Sequence, residues 1–584
     1  MFDEAELKKI EREKGKWEQG TLKRALERFG VKESPNRFYT PLDTKDHRFL
    51  EDVGFPEQYP FTSANYPSSV PGSGPQTGGS YVRGGGGLAR SGRYSGYGTA
   101  EDTRDYYLAE ASRGSTFGPS LAFHLPTQLG YDSDEPSARG EVGKVGVAVD
   151  TLRDMEVIYE AFTGPRDLDK ISSYFVMNGA ADICIAMYAA LAEKRGIPLA
   201  RVRGVVQNDI LKEFAARGMY IFPPRQSMRM TRDSIVWCTK HMPAFSTMSI
   251  SGYHIREAGA TGPQTLAFTL AHAMAYVQLG VDAGLKVDDF VSRFTFLNLS
   301  GGMEMFKEIA LQRAARRMWA KIMKERFGAK DPRSWLYRTD VWARQGCYSL
   351  TAQRPLNNLA RTVIGGIAGA LSGGNTSVDP PYDEALGLGW SLEATQLAED
   401  ASRILQYEAR LSDVTDPLAG SYYVEALTDQ VEQETWDIIN KIEAMGGALA
   451  AIEKGFQQQE IARSAYQYQK EVETGQRTIV GVNRFTGENE LEVLTARLVA
   501  LPYDPAKRDE AEKRQLANLA KVKRERDNAQ VQACLRRLED AARDETVNLL
   551  PLLLEAVKAY ATIGEMCGVL RQVFGEYTPF TMQG

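Results

Sequence analysis

The chain reads as an α/β protein: a (β/α)8 TIM barrel with an N-terminal arm and a C-terminal helical region. Three observations predict this. From about residue 115 to 390, short apolar runs alternate with amphipathic helical segments, which is the rhythm of a parallel sheet. Several of those runs end in a polar cluster, and barrels of this kind keep their chemistry at the C-terminal ends of the strands. Beyond residue 390 the pattern becomes mainly helical.

Residues 1–40 form the arm. Ala5–Lys14 has helical spacing but little apolar face, so it cannot offset its ordering entropy alone and is expected to pack against a partner. Residues 67–98 are rich in glycine and read either as a surface loop or as backbone that approaches a ligand closely. Residues 41–430 are assigned to the barrel. Its strand-like runs are Leu121–Phe123, Gly146–Val149, Ile171–Met177, Val205–Gln207, Met248–Ser251 and Arg293–Leu297. Helices are expected at Ala180–Arg195, Gln264–Leu279 and Met305–Arg326. Residues 431–584 form the helical region. Ala506–Glu545 there is strongly charged, and Leu549–Phe574 is apolar enough to fold back on the core.

Composition excludes several classes. With 70 basic and 76 acidic side chains the net charge is −6, so the basic stripe of a nucleic-acid binder is missing. No apolar run approaches the roughly 18 residues of a membrane span. The N-terminal residues are charged from Asp3 onward and lack the apolar core of a secretory signal. Five scattered cysteines without a Cys-x-x-Cys pair suit a reducing cytoplasm. No Walker A, His-Glu-x-x-His or Gly-x-Ser-x-Gly motif occurs, and Gly84–Gly87 does not open a βαβ unit.

The distinctive segments are Gly130–Asp134 (GYDSD), Met177–Ala180 (MNGA), Gln207–Glu213 (QNDILKE), Ser249–His254 (SISGYH) followed by Glu257–Ala260 (EAGA), Arg316–Lys321 (RRMWAK), Leu350–Gln353 (LTAQ) and Asp416–Val424 (DPLAGSYYV). In this order they resemble the catalytic large chain of the adenosylcobalamin-dependent acyl-CoA mutases, the methylmalonyl-CoA mutase family. The resemblance implies an isomerase, an intramolecular transferase. Its barrel is threaded by the pantetheine arm of an acyl-CoA, and a radical 1,2-shift of the carbonyl-CoA group takes place at its C-terminal mouth. The cobalamin module of the family carries Asp-x-His-x-x-Gly. The residues two places before His47, His124, His241, His254 and His272 are Lys45, Ala122, Thr239, Gly252 and Leu270. None is aspartate, so the cobalamin-binding domain and its cobalt ligand are expected to be absent. No metal ligand is then expected in this chain, and a separate small cobalamin-binding subunit should complete a heterotetramer or other hetero-oligomer.

The resemblance also implies roles for single residues. His254 would hydrogen-bond the thioester oxygen as charge develops there, with Tyr253 beside it. Tyr94 would wedge against the adenosyl group and substrate, with Tyr97 as the fallback. Gln207 would contact the thioester, and Arg293 would meet a CoA phosphate at a strand end. Glu384 would accept hydrogen bonds from the adenosyl ribose. Arg217 lies at the position where arginine accompanies substrates with a free carboxylate and glutamine accompanies monocarboxylic ones. A guanidinium fork binds a carboxylate bidentately.

This chain departs from the family in places. Glycines and serines replace a bulky segment before Tyr94, and Val205 stands where the family has threonine. Asp340–Cys347 replaces a loop containing His and Gln, Val378–Pro380 replaces His-Thr-Asn, and His124 replaces aspartate. With Arg217 kept, these changes suggest a carboxylate-bearing substrate larger than methylmalonyl-CoA, such as an alkyl- or aryl-substituted homologue. The alternatives are a mutase of the 2-hydroxyisobutyryl-CoA or isobutyryl-CoA type and a non-catalytic barrel scaffold.

Overall fold

The computed structural model describes residues 3–30, 32, 37–65, 94–96, 98–112, 117–297, 299–339, 345–374, 377–387, 391–411, 413–487 and 505–577. Most of the glycine-rich segment 67–98 lies outside them, as do Tyr97 and residues 340–344 of the substituted loop. Among the described residues there are seven short strands: β1 Tyr94–Ser95, β2 Ser120–Ala122, β3 Ser173–Val176, β4 Gly204–Val206, β5 Phe245–Ser246, β6 Ser249–Ser251 and β7 Thr295–Leu297. All pairings are parallel, in the order β1-β2-β3-β4-β5 and, separately, β6-β7. Ser249 N donates to Gln207 O at 2.9 Å, which carries the β4 edge past the break between β5 and β6. Single bridges continue the arc from Phe296 to Thr339 and from Gly301 to Gln345. The architecture is α/β with parallel strands, as expected.

The expected run Gly146–Val149 is not a strand. It touches the sheet through one bridge, Phe123 to Val147. Gly146 has φ +148°, and a Cβ there would lie 2.4 Å from the Phe123 carbonyl carbon, so this backbone crosses the sheet too closely to extend a ladder. The two-residue strands β1 and β5 were not read from sequence, because two residues show no periodicity.

Side chains alternate across the strands. Leu121, Phe175 and Val206 point into one large core cluster, and Ile250 and Phe296 into a second. These faces meet the surrounding helices. The helix Ala181–Lys194 is buried over nearly its whole length, packed between the sheet and the C-terminal helix Leu550–Lys558. Gly262–Asp282 starts with a capping box between Thr261 and Gln264 and has Pro263 in its first turn, both favourable at a helix N-terminus. Burying its Leu266, Phe268 and Leu270 contributes about 1.5–3 kcal/mol each.

Met305–Lys321 joins residues 61–63, Ser372 and the stretch 416–432 through three fully buried arginines. Arg313 pairs with Asp416 and, at 2.5 Å, with Glu425. Arg316 donates to the carbonyls of Phe61, Thr62, Ser63 and Ser372. Arg317 bonds Asp429 and Glu432. The helix Tyr422–Ala444 runs through residue 430 and packs on Gly262–Asp282 and Met305–Lys321. As expected, the last helices return to the core: Leu553, Met566 and Leu570 belong to the same cluster as the outward faces of β2 to β4. Gln515 clamps the buried Asp150 and Asp154 at 2.7 and 3.1 Å. At the other end, the helix Glu4–Trp17 has no buried residue, and Trp17 meets Phe38 as a tilted pair at 5.9 Å between centroids. Among the described residues no helix is long and apolar enough to cross a membrane.

Candidate active site

The inward face of the sheet differs from that of an ordinary barrel, which is filled by bulky branched residues. Register aligns Ser120, Tyr174, Val205 and Ser246 on one level and pairs Ser249 with Thr295. Only Tyr174, Val176 and Val205 form an apolar cluster there, a small one separate from the outer cores. The inward positions of β2, β5 and β6 carry serine or alanine, and β7 presents Thr295 and Leu297. Across this interior Tyr174 OH donates to Ser249 Oγ at 3.2 Å.

Polar groups gather at the C-terminal ends of β4 and β6. Gln207 follows β4 and is buried. Its Oε1 accepts from Asn178 Nδ2 at 3.2 Å and from Lys212 Nζ at 3.4 Å, and its Nε2 donates to Tyr174 OH at 3.4 Å. Asn208 takes φ +51°, a conformation asparagine tolerates better than most residues; the turn sends Asp209 inward. Asp209 accepts from Ser251 N at 2.7 Å and from Tyr276 OH at 2.7 Å, so it ties β6 to the helix Gly262–Asp282. Burial pushes its carboxyl above the usual range, against the pull of His272 and Lys212.

His254 lies in the short helix Tyr253–Glu257 directly after β6. Its Nδ1 is 3.0 Å from Ser251 Oγ, and the Tyr253 ring meets it edge-on at 4.7 Å. His254 is half-buried. Burial, then the Lys212 and Arg217 cations, hold its pKa well below the ordinary histidine value, so the ring is neutral near pH 7. Arg217 ends a wide π-helical turn, Glu213–Arg217, that packs against the His254 helix. Gln207, Arg217, Tyr253 and His254 are therefore brought together.

Glu384 is connected to this group through Glu257, one turn beyond His254. Glu257 accepts from Cys347 N at 2.9 Å, Tyr348 N at 2.8 Å and Ser300 Oγ at 2.5 Å. Cys347 Sγ in turn lies 3.5 Å from Glu384 Oε1. Tyr94 opens β1, with its backbone in register with Ser120. Arg293 is exposed and precedes β7 in a single 3-10 turn, so it stands at the starting end of that strand, whereas His254 follows the far end of the parallel strand β6. The Val291–Arg293 turn and Phe294 come before the ladder begins at Thr295, because Phe290 and Phe294 pack together at 5.5 Å.

Reading by residue overlooked Lys212, Glu213, Asp209 and the serine-lined interior. The signals were available. Lys212 and Glu213 lie inside the QNDILKE segment, and the alternation Ser249, Ile250, Ser251 already places two hydroxyls on one face. The five histidines are also placed. His47 bonds Asp429 at 2.5 Å, His124 Nδ1 accepts from Gly143 N at 3.0 Å, His241 packs on Trp237 at 4.9 Å, and His272 bonds Gln457 at 2.8 Å.

A family model described as Methylmalonyl-CoA mutase matches residues 33–576. The chain is 40% identical over 546 residues to the 2-hydroxyisobutanoyl-CoA mutase large subunit of Aquincola tertiaricarbonis, covering 93% of this chain and 91% of that one. It is 40% identical to the methylmalonyl-CoA mutase of Escherichia coli (strain K12), covering 83% of this chain and 65% of that one. The mitochondrial methylmalonyl-CoA mutase of Homo sapiens is 37% identical, with 83% and 62% covered. The chain thus spans nearly all of the large subunit but less than two thirds of these two methylmalonyl-CoA mutases.

Proposed function

The chain belongs to the methylmalonyl-CoA mutase family, whose members are isomerases, and from that premise we propose that it is the large subunit of an adenosylcobalamin-dependent mutase for carboxylate-bearing acyl-CoA thioesters. The observation that carries this reading is the packing of the turn that ends in Arg217 against the short helix that carries His254. One cation and one neutral imidazole side by side suit a substrate with a free carboxylate at one end and a thioester at the other.

The residues divide the work. With Ser251 Oγ as donor to His254 Nδ1, 3.0 Å away, the neutral ring would carry its proton on Nε2. That N–H bonds the thioester oxygen and stabilises charge as the carbonyl-CoA group migrates. Gln207 and Tyr253 orient the thioester, and Arg217 takes the carboxylate. The small hydroxyl-bearing interior leaves a path for pantetheine, and Arg293 at the far mouth meets a CoA phosphate. Tyr94 borders the adenosyl group. When bound, adenosylcobalamin supplies the radical that begins the exchange. On this chain the half-buried carboxylate of Glu384 fits the adenosyl ribose. The Asp-x-His-x-x-Gly signature is missing, and four of the five histidines are hydrogen-bonded within the fold while His241 packs on Trp237. A small cobalamin-binding subunit therefore brings the cobalt ligand in a hetero-oligomer, a heterotetramer in the simplest case, and the near-complete match to a large subunit supports this. Residues 1–40 contact a partner, 41–430 hold the acyl-CoA and 431–584 buttress the barrel, all in the cytoplasm.

The expected substrate is larger than methylmalonyl-CoA; a clear preference for methylmalonyl-CoA over a bulky alkyl or aryl homologue would refute that part. The length match to the 2-hydroxyisobutanoyl-CoA mutase large subunit favours a second reading, a mutase for monocarboxylic esters. Arg217 decides between the two. Two charge-assisted bonds of about 1.5–3 kcal/mol each correspond to about 10²- to 10⁴-fold in kcat/KM. Arg217→Gln should impose that loss on carboxylate-bearing substrates and spare isobutyryl-CoA. Equal losses on both sink the reading. An absence of any turnover with small subunit and cofactor supplied would make the chain a scaffold.

A further inference from the structure

Glu213 is wholly buried, yet it serves three donors. Its Oε1 accepts from Lys212 Nζ at 2.5 Å and from Arg217 Nη1 at 3.1 Å, and its Oε2 accepts from Met219 N at 2.9 Å. The wide turn makes this possible. Gly218 N closes it on Glu213 O at 2.8 Å, and Gly218 takes φ +89°, a conformation that strains other residues. The chain therefore doubles back, and the Met219 amide lands on the carboxylate. Lys212 is wholly buried as well and reaches Gln207 Oε1 at 3.4 Å. Arg217 is the member of the trio that keeps some exposure, 20% of its side chain.

The charges of the trio sum to one positive unit. An isolated buried cation beside Arg217 would repel it and raise the cost of burial, whereas a shared carboxylate removes both penalties. Only one guanidinium nitrogen is bonded to Glu213, which leaves other donors of the fork to meet a ligand.

Resting on the reading of Arg217 as the carboxylate's partner, we propose that Glu213 is a positioning residue. It holds Arg217 by one N–H, turns the remaining donors toward the space beside His254, and cancels the charge of Lys212 so that a single positive charge selects the substrate's carboxylate. Glu213 touches no substrate; its effect passes through Arg217.

The test compares succinyl-CoA with butyryl-CoA, which differ at the chain end by a carboxylate against a methyl group. Titration calorimetry on the full chain measures both Kd values, and turnover on a carboxylate-bearing ester is followed with the small subunit and adenosylcobalamin supplied. The full chain prefers succinyl-CoA, and Arg217→Gln abolishes the preference. Glu213→Gln lowers it at least tenfold, leaves the butyryl-CoA Kd within twofold, and raises KM more than it lowers kcat. Glu213→Asp, which keeps the charge on a shorter arm, recovers part of the preference. If Glu213→Gln fails to fold, the double variant Lys212→Met with Glu213→Gln removes the stranded cation and is expected to fold with the preference still lost. A retained preference in either Glu213→Gln background, with Arg217→Gln still losing it, overturns the inference and leaves the functional reading intact. A retained preference in Arg217→Gln overturns the functional reading and this inference with it.

Discussion

Replacing Glu257 with alanine tests whether the helix that carries His254 and the segment that reaches Glu384 are held as one body. The carboxylate of Glu257 takes three hydrogen bonds, from Cys347 N, Tyr348 N and Ser300 Oγ at 2.9, 2.8 and 2.5 Å. Hydrogen bonds to a charged acceptor contribute about 1.5–3 kcal/mol each. Their sum overstates the loss, because the site is half-buried and water can replace part of what is removed. About 3 kcal/mol is a reasonable cost for opening residues 345–349. In amide exchange governed by local opening, that corresponds to about 150-fold faster exchange at Cys347 and Tyr348. Glu257→Gln keeps one acceptor oxygen but turns an NH2 toward a backbone N–H, so its cost should be about half. Since Cys347 Sγ contacts Glu384, turnover of the reconstituted enzyme should fall in the same order. Exchange at Cys347 and Tyr348 within threefold of wild type in Glu257→Ala would refute the reasoning.

Removing the imidazole donor by His254→Ala should lower kcat about 10²- to 10³-fold while the Kd for succinyl-CoA stays nearly constant; a pure KM effect would contradict the oxyanion role. Gly96→Ala would place a Cβ 2.0 Å from the Ala122 carbonyl oxygen and 3.0 Å from Val147 N, so it should cost about 3 kcal/mol and open the β1–β2 edge to protease; an unchanged melting temperature would show that the edge yields freely. Burial depresses the pKa of three histidines, His124 to about 3 and His254 and His272 by burial as the main cause. The unfolded chain binds these protons near pH 6.5 and the folded chain does not, so stability is complete above that value and declines as pH falls. For His124 alone the loss between pH 7 and 5 is about 2 kcal/mol. Thermal melts should record the decline in wild type and a smaller one in His124→Asn; equal declines would refute the assignment to this ring.

Much of the fold was legible because local patterns and global packing agree. The helices Ala181–Lys194 and Gly262–Asp282 carry enough periodic apolar residues to be recognised; β3, β6 and β7 fall within the expected runs, and β2 and β4 overlap theirs but begin one residue earlier. Gly146–Val149 misled because an apolar run is identical whether its backbone pairs along a ladder or meets it at a single parallel bridge. Gln207, Tyr253 and His254 sit in contiguous segments that directly follow strands, so their grouping at strand ends was legible in the sequence. Glu257 was seen as part of a motif, yet its bonds to Cys347 and Tyr348 span about 90 positions and have no local signature.

The linear order of residues by itself settled the fold class, the family, and the chemical types available to the site: an imidazole, an amide, a guanidinium and a carboxylate. Tertiary structure alone decided which charges are shared. Lys212, Glu213 and Arg217 look like ordinary charges of a solvated helix face until folding buries the first two and leaves one carboxylate between two cations. A string of letters records charge but not dielectric surroundings, and the strength of an ion pair depends on how much water folding has removed from around it.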